Sequence, residues 1–445
     1  MDPRINKMTQ SRKDLASTLT NQLWRLIAGP LTILLIPFYL TEVDQGYWYL
    51  FGSISALSVF ADMGFSNIIL QFSAHEFAFL SFNTEGLIEG DDNHLKKLGS
   101  FLRFTIKWIS SICLIVFPII YFVGIWFFVR DGVLRIYLLP WTIFSLGSLL
   151  NFFNNSVLSY FEGMNQIGAI QNIRFLVAVI NTIVVTAILL LGGNIYALAF
   201  GLLISASSIF LFIFGRFHKL LKQILNVSKN YVYSWRKEVL PLFSRYAISF
   251  SSGYFIFQIY TPVMQYFHGP VQSGKIGITL SLVMVIFSMS NIWIYTVTPT
   301  MNMLVSKRNK EALDILFKRR LVFSLMTYIA ISVCMFVFLV FFKDFWILPK
   351  VISRFLPVKS VLMLLVCYFF QLIINSWATY LRAHKREPYM IPSLVLAIWI
   401  ALATTYIGYN FKPEYFFLGF LSSYIWWLPV AYIIYKRCQR NWYAK

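Results

Sequence analysis

Residues 104–129 read FTIKWISSICLIVFPIIYFVGIWFFV, a run in which Lys107 is the single charged residue. A helix needs about 20 predominantly apolar residues to cross the hydrocarbon core of a bilayer, so this run is long enough to span a membrane. The whole chain has the same character, because 58% of its 445 residues are hydrophobic and only 13% are charged. These proportions lie outside the usual range of soluble domains and predict a membrane protein.

The chain contains about twelve apolar runs of spanning length. Backbone groups in hydrocarbon have no water partners, and continuous runs of this length do not fit the alternating pattern of barrel strands, so the spans are predicted to be α-helices. The predicted spans are residues 16–40, 47–72, 104–129, 135–160, 168–192, 195–215, 239–266, 276–300, 319–342, 358–381, 389–408 and 414–435.

The net charge of the chain is +20. The positions of its basic residues indicate membrane topology rather than nucleic-acid binding. Lys and Arg concentrate in the loops on one side of the predicted spans, with six basic residues in each of the loops 216–237 and 307–320. Short loops rich in Lys and Arg stay in the cytoplasm. The sequence therefore predicts a multi-pass membrane protein with both termini cytoplasmic, and no nucleic-acid partner.

The sequence offers no pattern that binds a metal or an organic cofactor. Its four cysteines are Cys113, Cys334, Cys367 and Cys438. They are not spaced as metal ligands and do not imply a disulfide framework. P-loop, dinucleotide-binding and zinc-protease motifs do not occur. ATP hydrolysis and metalloprotease chemistry therefore lack support, and we expect neither a metal site nor a cofactor.

A short repeat relates the two halves of the chain. Residues 155–161, NSVLSYF, match residues 375–381, NSWATYL, at an offset of 220 residues. The matched polar positions include Asn155 with Asn375 and Tyr160 with Tyr380. Each stretch closes the fourth predicted span of its half. Transporters are commonly built from related halves, so we interpret the match as an internal duplication.

The duplication predicts an all-α polytopic membrane protein with two six-helix lobes. Residues 1–215 would form the N-terminal lobe, residues 216–237 a cytoplasmic linker and residues 238–445 the C-terminal lobe. Because each half has an even number of spans, the lobes are expected to be parallel repeats about an axis along the membrane normal. This symmetry leaves a central cleft between two helix bundles.

Basic side chains inside the predicted spans would give this cleft a positive charge. Asn21 and Arg25 lie on a polar stripe of the first span, and the offset of 220 carries Arg25 onto Arg245 in the seventh span. Arg174 lies on a polar stripe of the fifth span, and Lys107 near the inner end of the third. A charge near the bilayer centre costs roughly 2.5–3.5 kcal/mol, so it usually faces a cavity or a partner. We interpret these five residues as candidates for binding an anionic substrate; the alternative for Arg25 is snorkelling toward the interface.

Asp62 is the one acidic residue deep in a predicted span. On a continuous helix Asp62 and Ser66 share one face of the second span, whereas Asn67 and Gln71 lie on the opposite face. A helix that is polar on both sides is expected to be enclosed by protein or water, with Gly64 allowing close packing. Asp62 would then form a structural salt bridge with an arginine, act as an ion-coupling site, or do both.

Residues 45–78, QGYWYLFGSISALSVFADMGFSNIILQFSAHEFA, resemble the second-span region of bacterial O-antigen flippases of the Wzx type. The pair Asp62 and Gly64 and the turn EGMNQIG at residues 162–168 are also similar to that family. These flippases belong to the polysaccharide transporter family of the multidrug, oligosaccharidyl-lipid and polysaccharide exporter (MOP) superfamily. The similarity in length, span number and six-plus-six organisation covers essentially the whole chain.

The resemblance implies a transporter rather than an enzyme, namely a flippase of lipopolysaccharide biosynthesis in the bacterial inner (cytoplasmic) membrane. A flippase needs no catalytic residues, and proton or sodium coupling is left open. Such a protein moves an undecaprenyl-diphosphate-linked oligosaccharide, the O-antigen repeat unit, from the cytoplasmic to the periplasmic leaflet by alternating access. Its expected partners are this glycan, the lipid bilayer and other O-antigen assembly proteins. The implied cargo agrees with the residues, because a diphosphate is anionic and guanidinium groups bind phosphate oxygens in pairs.

Two alternatives stay open. A multidrug exporter of the same superfamily would share the fold, but binding organic cations requires carboxylates inside the membrane, and the spans offer essentially Asp62. A membrane glycosyltransferase or polymerase of the same pathway would use an acidic motif, for which Glu42 and Asp44 in the first outer loop are a weak match. The short outer loops leave little room for an acceptor site.

Overall fold

A computed structural model describes residues 3–83, 86–229, 231–342, 345, 348–384 and 387–441. This part of the chain is almost entirely helical, with one short two-stranded hairpin. The helices of the first half are α1 (Pro3–Tyr39), α2 (Glu42–Ser55), α3 (Val59–Asp62), α4 (Phe65–Phe77), α5 (Asp92–Arg130), α6 (Leu134–Gly163), α7 (Ile167–Leu190) and α8 (Tyr196–Val227). The hairpin strands, β1 (Leu80–Phe82) and β2 (Ile88–Gly90), lie between α4 and α5 and pair antiparallel.

The second half has eight further helices in the described ranges. They are α9 (Arg236–Phe257), α10 (Tyr260–Tyr295), α11 (Thr298–Ser306), α12 (Lys310–Phe341), α13 (Leu348–Ile352), α14 (Val358–Ala383), α15 (Met390–Asn410) and α16 (Leu418–Asn441). Short 3₁₀ turns, Ala56–Ser58 and Pro413–Tyr415, precede α3 and α16.

Within the described ranges, 10 helical runs are long and apolar enough to cross a membrane, or 11 if a bent pair in the second span is included. The difference from the predicted number lies in one run, Phe250–Ser306, which is 57 residues long. It contains most of the two predicted spans 239–266 and 276–300, since two helices follow each other directly across a kink at Gly269, whose φ is 81°. A run of this length exceeds twice the roughly 20 residues that one crossing requires.

The second span is broken rather than continuous. Glu42–Asp62 and Phe65–Phe77 meet at an angle of 44°. Met63 (φ 42°) and Gly64 (φ 80°) are both left-handed at the junction, a conformation that ends a helix because it points the chain out of the helical path. The prediction that Asp62 and Ser66 lie on one continuous helix is therefore wrong. Gly64 provides the left-handed turn that joins the two helices.

The contacts divide the chain into two compact units. The first unit contains Met1–Thr32 and Ile54–Ser251, and the second contains Ile33–Ser53 and Ser252–Lys445. The predicted lobe boundaries, 1–215, 216–237 and 238–445, stay a prediction, since the units group the chain by contact rather than by sequence order.

Residues 33–53 join the second unit through close backbone packing. The side chain of Gln45 donates to the carbonyl of Gly274 at 2.9 Å, and Arg354 Nη2 donates to the carbonyl of Leu40 at 2.9 Å. A Cβ atom on Gly46 would lie 2.2 Å from the carbonyl oxygen of Pro270. Only glycine permits this approach of α2 to α10.

Each unit has its own aromatic and aliphatic core, and the repeated tyrosines occupy similar positions in the two cores. Tyr160 is fully buried in α6 and donates to the carbonyl of Leu98 in α5 at 2.9 Å. Tyr380 is fully buried in α14 and donates to Asp314 Oδ1 in α12 at 2.8 Å. In each unit, therefore, the tyrosine forms a hydrogen bond with the first turns of the preceding long helix, which is α5 in the first unit and α12 in the second.

Candidate functional site

The break in the second span opens onto a polar cavity inside the first unit. The cavity holds about 240 Å³. Its lining residues are Ser55, Ser58, Asp62, Ser66, Ser148, Asn151, Phe152, Asn155 and Leu202. Hydroxyl, amide and carboxylate oxygens thus converge from the broken span and from α6. Discontinuous membrane helices with converging oxygens are typical of coupling-ion sites in transporters.

Asp62 supplies the negative charge of this cavity. Its Oδ1 accepts hydrogen bonds from the hydroxyl of Ser66 at 2.5 Å and from the amide of Ser66 at 3.1 Å. Its Oδ2 accepts from the amide of Gly64 at 3.1 Å. The carboxylate therefore caps the first turn of α4, where a helix leaves its amide groups without intrahelical partners. Among the described residues, the partners of Asp62 are these amides and this hydroxyl rather than an arginine.

The opposite wall of the cavity comes from α6. Ser148 accepts a hydrogen bond from the hydroxyl of Ser55 at 2.9 Å, which joins the two walls. Asn151 and Asn155 lie one and two turns further along the same helix. Asn155, singled out by the repeat, is an exposed side chain that lines the cavity. Hard cations take oxygen ligands of these kinds, and one carboxylate would balance one positive charge.

The second unit repeats this polar lining only in part, since Asn151 and Asn155 correspond to Gln371 and Asn375. At the offset of 220 residues, Ser58, Asp62 and Ser66 correspond to Ile278, Leu282 and Ile286. These three residues lie in α10, whose described backbone departs from helical geometry at Gly269 rather than at the position of Asp62.

The repeated asparagine also has a different setting in the second unit. Asn375 is bound by other side chains there, since its Nδ2 donates to Asn291 Oδ1 at 3.1 Å and to the hydroxyl of Tyr295 at 3.2 Å. The broken span and its cavity are therefore not requirements of the repeated architecture.

A second polar cluster joins α1, α6 and α7 in the first unit. Asn21, which is buried, donates from Nδ2 to Gln171 Oε1 at 2.8 Å. Gln171 Nε2 donates in turn to Glu162 Oε1 at 3.3 Å. Arg174 Nη2 lies 2.9 Å from Glu162 Oε2. The cluster brings together two candidate substrate-binding residues, Asn21 and Arg174, and it pairs the arginine with a carboxylate.

Glu162 belongs to this cluster, although the sequence did not predict a role for it in binding. It occupies the end of α6 and was part of a turn motif rather than of a predicted span. Its ion pair neutralises the charge of Arg174, which is 22% exposed at the side chain. A phosphate would have to compete with Glu162 for this guanidinium group. The pair could have been suspected from the sequence, because Glu162 and Arg174 lie on either side of the short turn between α6 and α7.

The other three predicted substrate-binding residues are Lys107, Arg25 and Arg245. Lys107 is exposed on α5, one turn before Ser111. Arg25 lies in α1 and Arg245 in α9, but both side chains lie outside the described residues. Their proposed role on a diphosphate stays a prediction, and so does the cationic cleft.

Comparisons with known proteins bear on the fold. The sequence matches no family model and no curated protein, whereas 26 chains of solved structures resemble the fold. A multidrug resistance MATE family transporter of the MOP superfamily in an outward-facing conformation has a TM-score of 0.61 at 13% identity, covering 98% of this chain and 97% of that one. The inward-facing conformation of such a transporter has a TM-score of 0.56 at 15% identity, covering 97% and 99%.

A third solved structure extends the same likeness. A single-residue mutant of the Vibrio cholerae MATE transporter VcmN has a TM-score of 0.54 at 12% identity and covers 98% of this chain and 99% of that one. Identities this low show a shared fold and leave cargo open. The chain therefore has the all-helical, two-lobed fold of the MATE transporters of the MOP superfamily.

Proposed function

We propose that the protein is an ion-coupled flippase that moves an undecaprenyl-diphosphate-linked oligosaccharide across the bacterial inner membrane by alternating access. The fold shared with MATE transporters supports transport rather than enzymatic turnover. The intramembrane basic residues of the sequence support an anionic cargo, since a buried charge requires a partner of opposite sign or a polar cavity.

The observation that carries the coupling part of this proposal is the cavity at Asp62. It combines one carboxylate, a broken span and oxygen side chains from two helices. Apolar residues stand at the second-unit positions that match Ser58, Asp62 and Ser66. This difference supports a specialised role, because a purely architectural feature would be expected in both copies. We infer that this cavity binds a coupling cation, a proton on Asp62 or sodium among the oxygens.

A multidrug exporter is the second candidate, and the solved structures favour it by their printed names. Exporters of organic cations need carboxylates that are free to bind cargo. Of the carboxylates in the Asp62 cavity and the α1–α6–α7 cluster, Glu162 is engaged by Arg174, and Asp62 is engaged by the first turn of α4. These contacts support the anionic cargo over the cationic one.

The proposed location follows from the same function. A flippase of lipid-linked oligosaccharides would receive its cargo at the cytoplasmic leaflet of the inner membrane. The basic loops 216–237 and 307–320 support cytoplasmic termini. Other O-antigen assembly proteins would supply the cargo and consume it on the periplasmic side.

Deletion of the gene in its own host separates the two candidates. A flippase predicts loss of surface polysaccharide and accumulation of the lipid-linked oligosaccharide, with unchanged susceptibility to cationic drugs. A drug exporter predicts the reverse pattern. Complementation by the wild-type protein is the control, and normal surface polysaccharide in the deletion strain would reject the proposed cargo.

A further inference from the structure

A second cavity in the first unit lies apart from the Asp62 cavity. It holds about 440 Å³, within the range of roughly 300–1,000 Å³ typical of small-molecule sites. The residues that define this α4–α5–α9 pocket are Gln71, Phe72, Glu76, Lys97, Tyr233 and Glu238, with His75 at its edge. Two aromatic rings and several hydrogen-bonding groups therefore face one space.

Glu76 is the buried carboxylate of this pocket, with 6% of its surface exposed. Its Oε2 lies 2.8 Å from Nδ1 of His94, which begins α5 beside it. Its Oε1 lies 3.6 Å from Nδ1 of His75, beyond hydrogen-bond length. His94 thus fixes one oxygen of the carboxylate, and the other oxygen is able to accept a hydrogen bond from a ligand.

The opposite side of the pocket is formed by the segment that leads into α9. Tyr233 donates its hydroxyl proton to Glu238 Oε1, and this hydrogen bond raises the pKa of Tyr233 to about 12. The phenol stays protonated at neutral pH, so the Glu238 carboxylate keeps a fixed position while retaining further acceptor sites. Lys97 Nζ lies 5.1 Å from the centre of the Tyr233 ring.

The rings of the pocket are held rigidly. Phe72 stacks on Phe101 with ring centres 5.6 Å apart. Trp235 packs against Tyr233 at 4.6 Å and is fixed by a hydrogen bond from its Nε1 to Ser100 Oγ. A preformed pocket of this kind loses little entropy when it binds a ligand.

The charges of the pocket restrict the ligand. Glu76 and Glu238 outweigh the one ammonium group of Lys97, so a diphosphate would be repelled. An organic cation would compete with Lys97, which already occupies a face of Tyr233. A neutral molecule rich in hydroxyl groups is neither repelled by the carboxylates nor in competition with Lys97. The carboxylates would accept hydrogen bonds from its hydroxyl groups, Gln71 would accept or donate them, and the aromatic rings would cover its apolar C–H faces.

We propose that the α4–α5–α9 pocket binds a sugar unit of the transported glycan. The inference rests on the proposed flippase function and names a subsite for it, separate from the groups that would bind the diphosphate. The predicted cytoplasmic position of loop 216–237 would open the pocket toward the side from which the cargo arrives. The pocket would thus select the glycan before translocation.

Saturation-transfer NMR on the purified full-length protein in nanodiscs tests this subsite. The probe is the free oligosaccharide released by mild acid from the host's lipid-linked pool, so it carries neither diphosphate nor lipid. Glu238→Gln and Gln71→Ala alter exposed lining residues that are not needed for the core. The matched control is Glu89→Gln, a carboxylate on the exposed β2 strand outside the pocket.

The wild-type protein and Glu89→Gln are expected to bind the oligosaccharide equally. Glu238→Gln should bind about tenfold more weakly, as expected when a charge-assisted hydrogen bond loses its charge, and Gln71→Ala about fivefold more weakly, as expected for the loss of one neutral hydrogen bond. Equal binding by lining and control variants, or no binding by the wild type, would overturn the sugar site. Binding of tetraphenylphosphonium that depends on Glu238 would replace it with a cation site.

Translocation of the intact lipid-linked oligosaccharide is measured separately on the same preparations. A wild-type protein that translocates this cargo but shows no free-sugar binding would reject the subsite and leave the flippase function intact. A protein that binds the sugar in this pocket but translocates nothing would reject the flippase function alone.

Discussion

The hydroxyl of Ser66 donates a 2.5 Å hydrogen bond to Asp62 Oδ1 across the break in the second span, and its amide donates to the same oxygen at 3.1 Å. One carboxylate thereby caps α4 and places a negative charge in the polar cavity. A cap needs an acceptor oxygen, whereas a cation site needs the charge. The two roles can therefore be separated by substitution.

Asp62→Asn is expected to remove the charge and to keep the two hydrogen bonds from Ser66 on its one amide oxygen, while losing the hydrogen bond from the Gly64 amide, because an amide nitrogen cannot accept. We expect melting within a few degrees of the wild type but loss of the dependence of transport on the proton or sodium gradient in proteoliposomes. Asp91→Asn is the matched control, since Asp91 caps α5 at an exposed site by accepting from the amides of Asn93 and His94. Unchanged ion dependence in Asp62→Asn would leave Asp62 with a structural role only.

The left-handed break itself predicts opposite effects at adjacent residues. Gly64→Ala places a Cβ at φ 80° and should lower the free energy of unfolding by about 1–2 kcal/mol. Met63→Gly removes the Cβ at φ 42° and should be neutral or stabilising. Thermal unfolding in detergent, followed by loss of the monodisperse peak, measures both. Equal destabilisation by the two variants would contradict the broken span.

The ion pair between Glu162 and Arg174 predicts that the effect of changing one charge on stability depends on the other charge. Glu162→Gln removes one partner and should lower stability, because it leaves a partly buried guanidinium group without its carboxylate. The exchanged double variant, Glu162→Arg with Arg174→Glu, should regain most of that loss. If Arg174 also binds the diphosphate, the exchanged protein will fold but transport poorly. Full transport by the exchanged protein would restrict Arg174 to a structural role.

Two glycines of α2 provide a matched test of its packing on α10. Gly46→Ala should be strongly destabilising, since its Cβ would lie 2.2 Å from the Pro270 carbonyl oxygen. Gly52→Ala, with no atom within 4 Å of the added Cβ, should stabilise the helix by about 0.5–1 kcal/mol. The melting temperatures of the two variants test this packing. Similar values would show that α2 does not pack against Pro270 of α10 at Gly46.

The sequence was sufficient to predict the helical membrane fold, because apolar runs of spanning length have few alternatives in a bilayer. It also drew attention to Asp62 by its isolation among apolar residues. It did not predict the break beside it, since Met63 is not a residue that usually adopts a left-handed conformation. Nor did it predict the contacts of Glu162 with Arg174 and of Glu76 with His94, which depend on how separate helices pack.

The loop of residues 83–97 shows the same limit. Its polar composition predicts a solvated segment, but its described part contains β2 and the start of α5. Gln223 fixes β2 from α8, accepting from the amide of Ile88 at 2.9 Å and donating to its carbonyl at 2.7 Å. A long-range side-chain contact of this kind leaves no local pattern in the sequence.

Reconstitution of the purified protein measures the transport of a lipid-linked diphosphate oligosaccharide itself. Proteoliposomes would carry extracted lipid-linked oligosaccharide, and a membrane-impermeant glycosidase would report the fraction that reaches the opposite leaflet. We expect transfer above that of protein-free vesicles, with Arg25→Ala and Arg245→Ala reduced about tenfold or more and the corresponding Arg→Lys variants reduced less, at equal protein abundance. No transfer by the wild-type protein would contradict the flippase function, and normal transfer by both alanine variants would contradict the phosphate-binding role of these arginines.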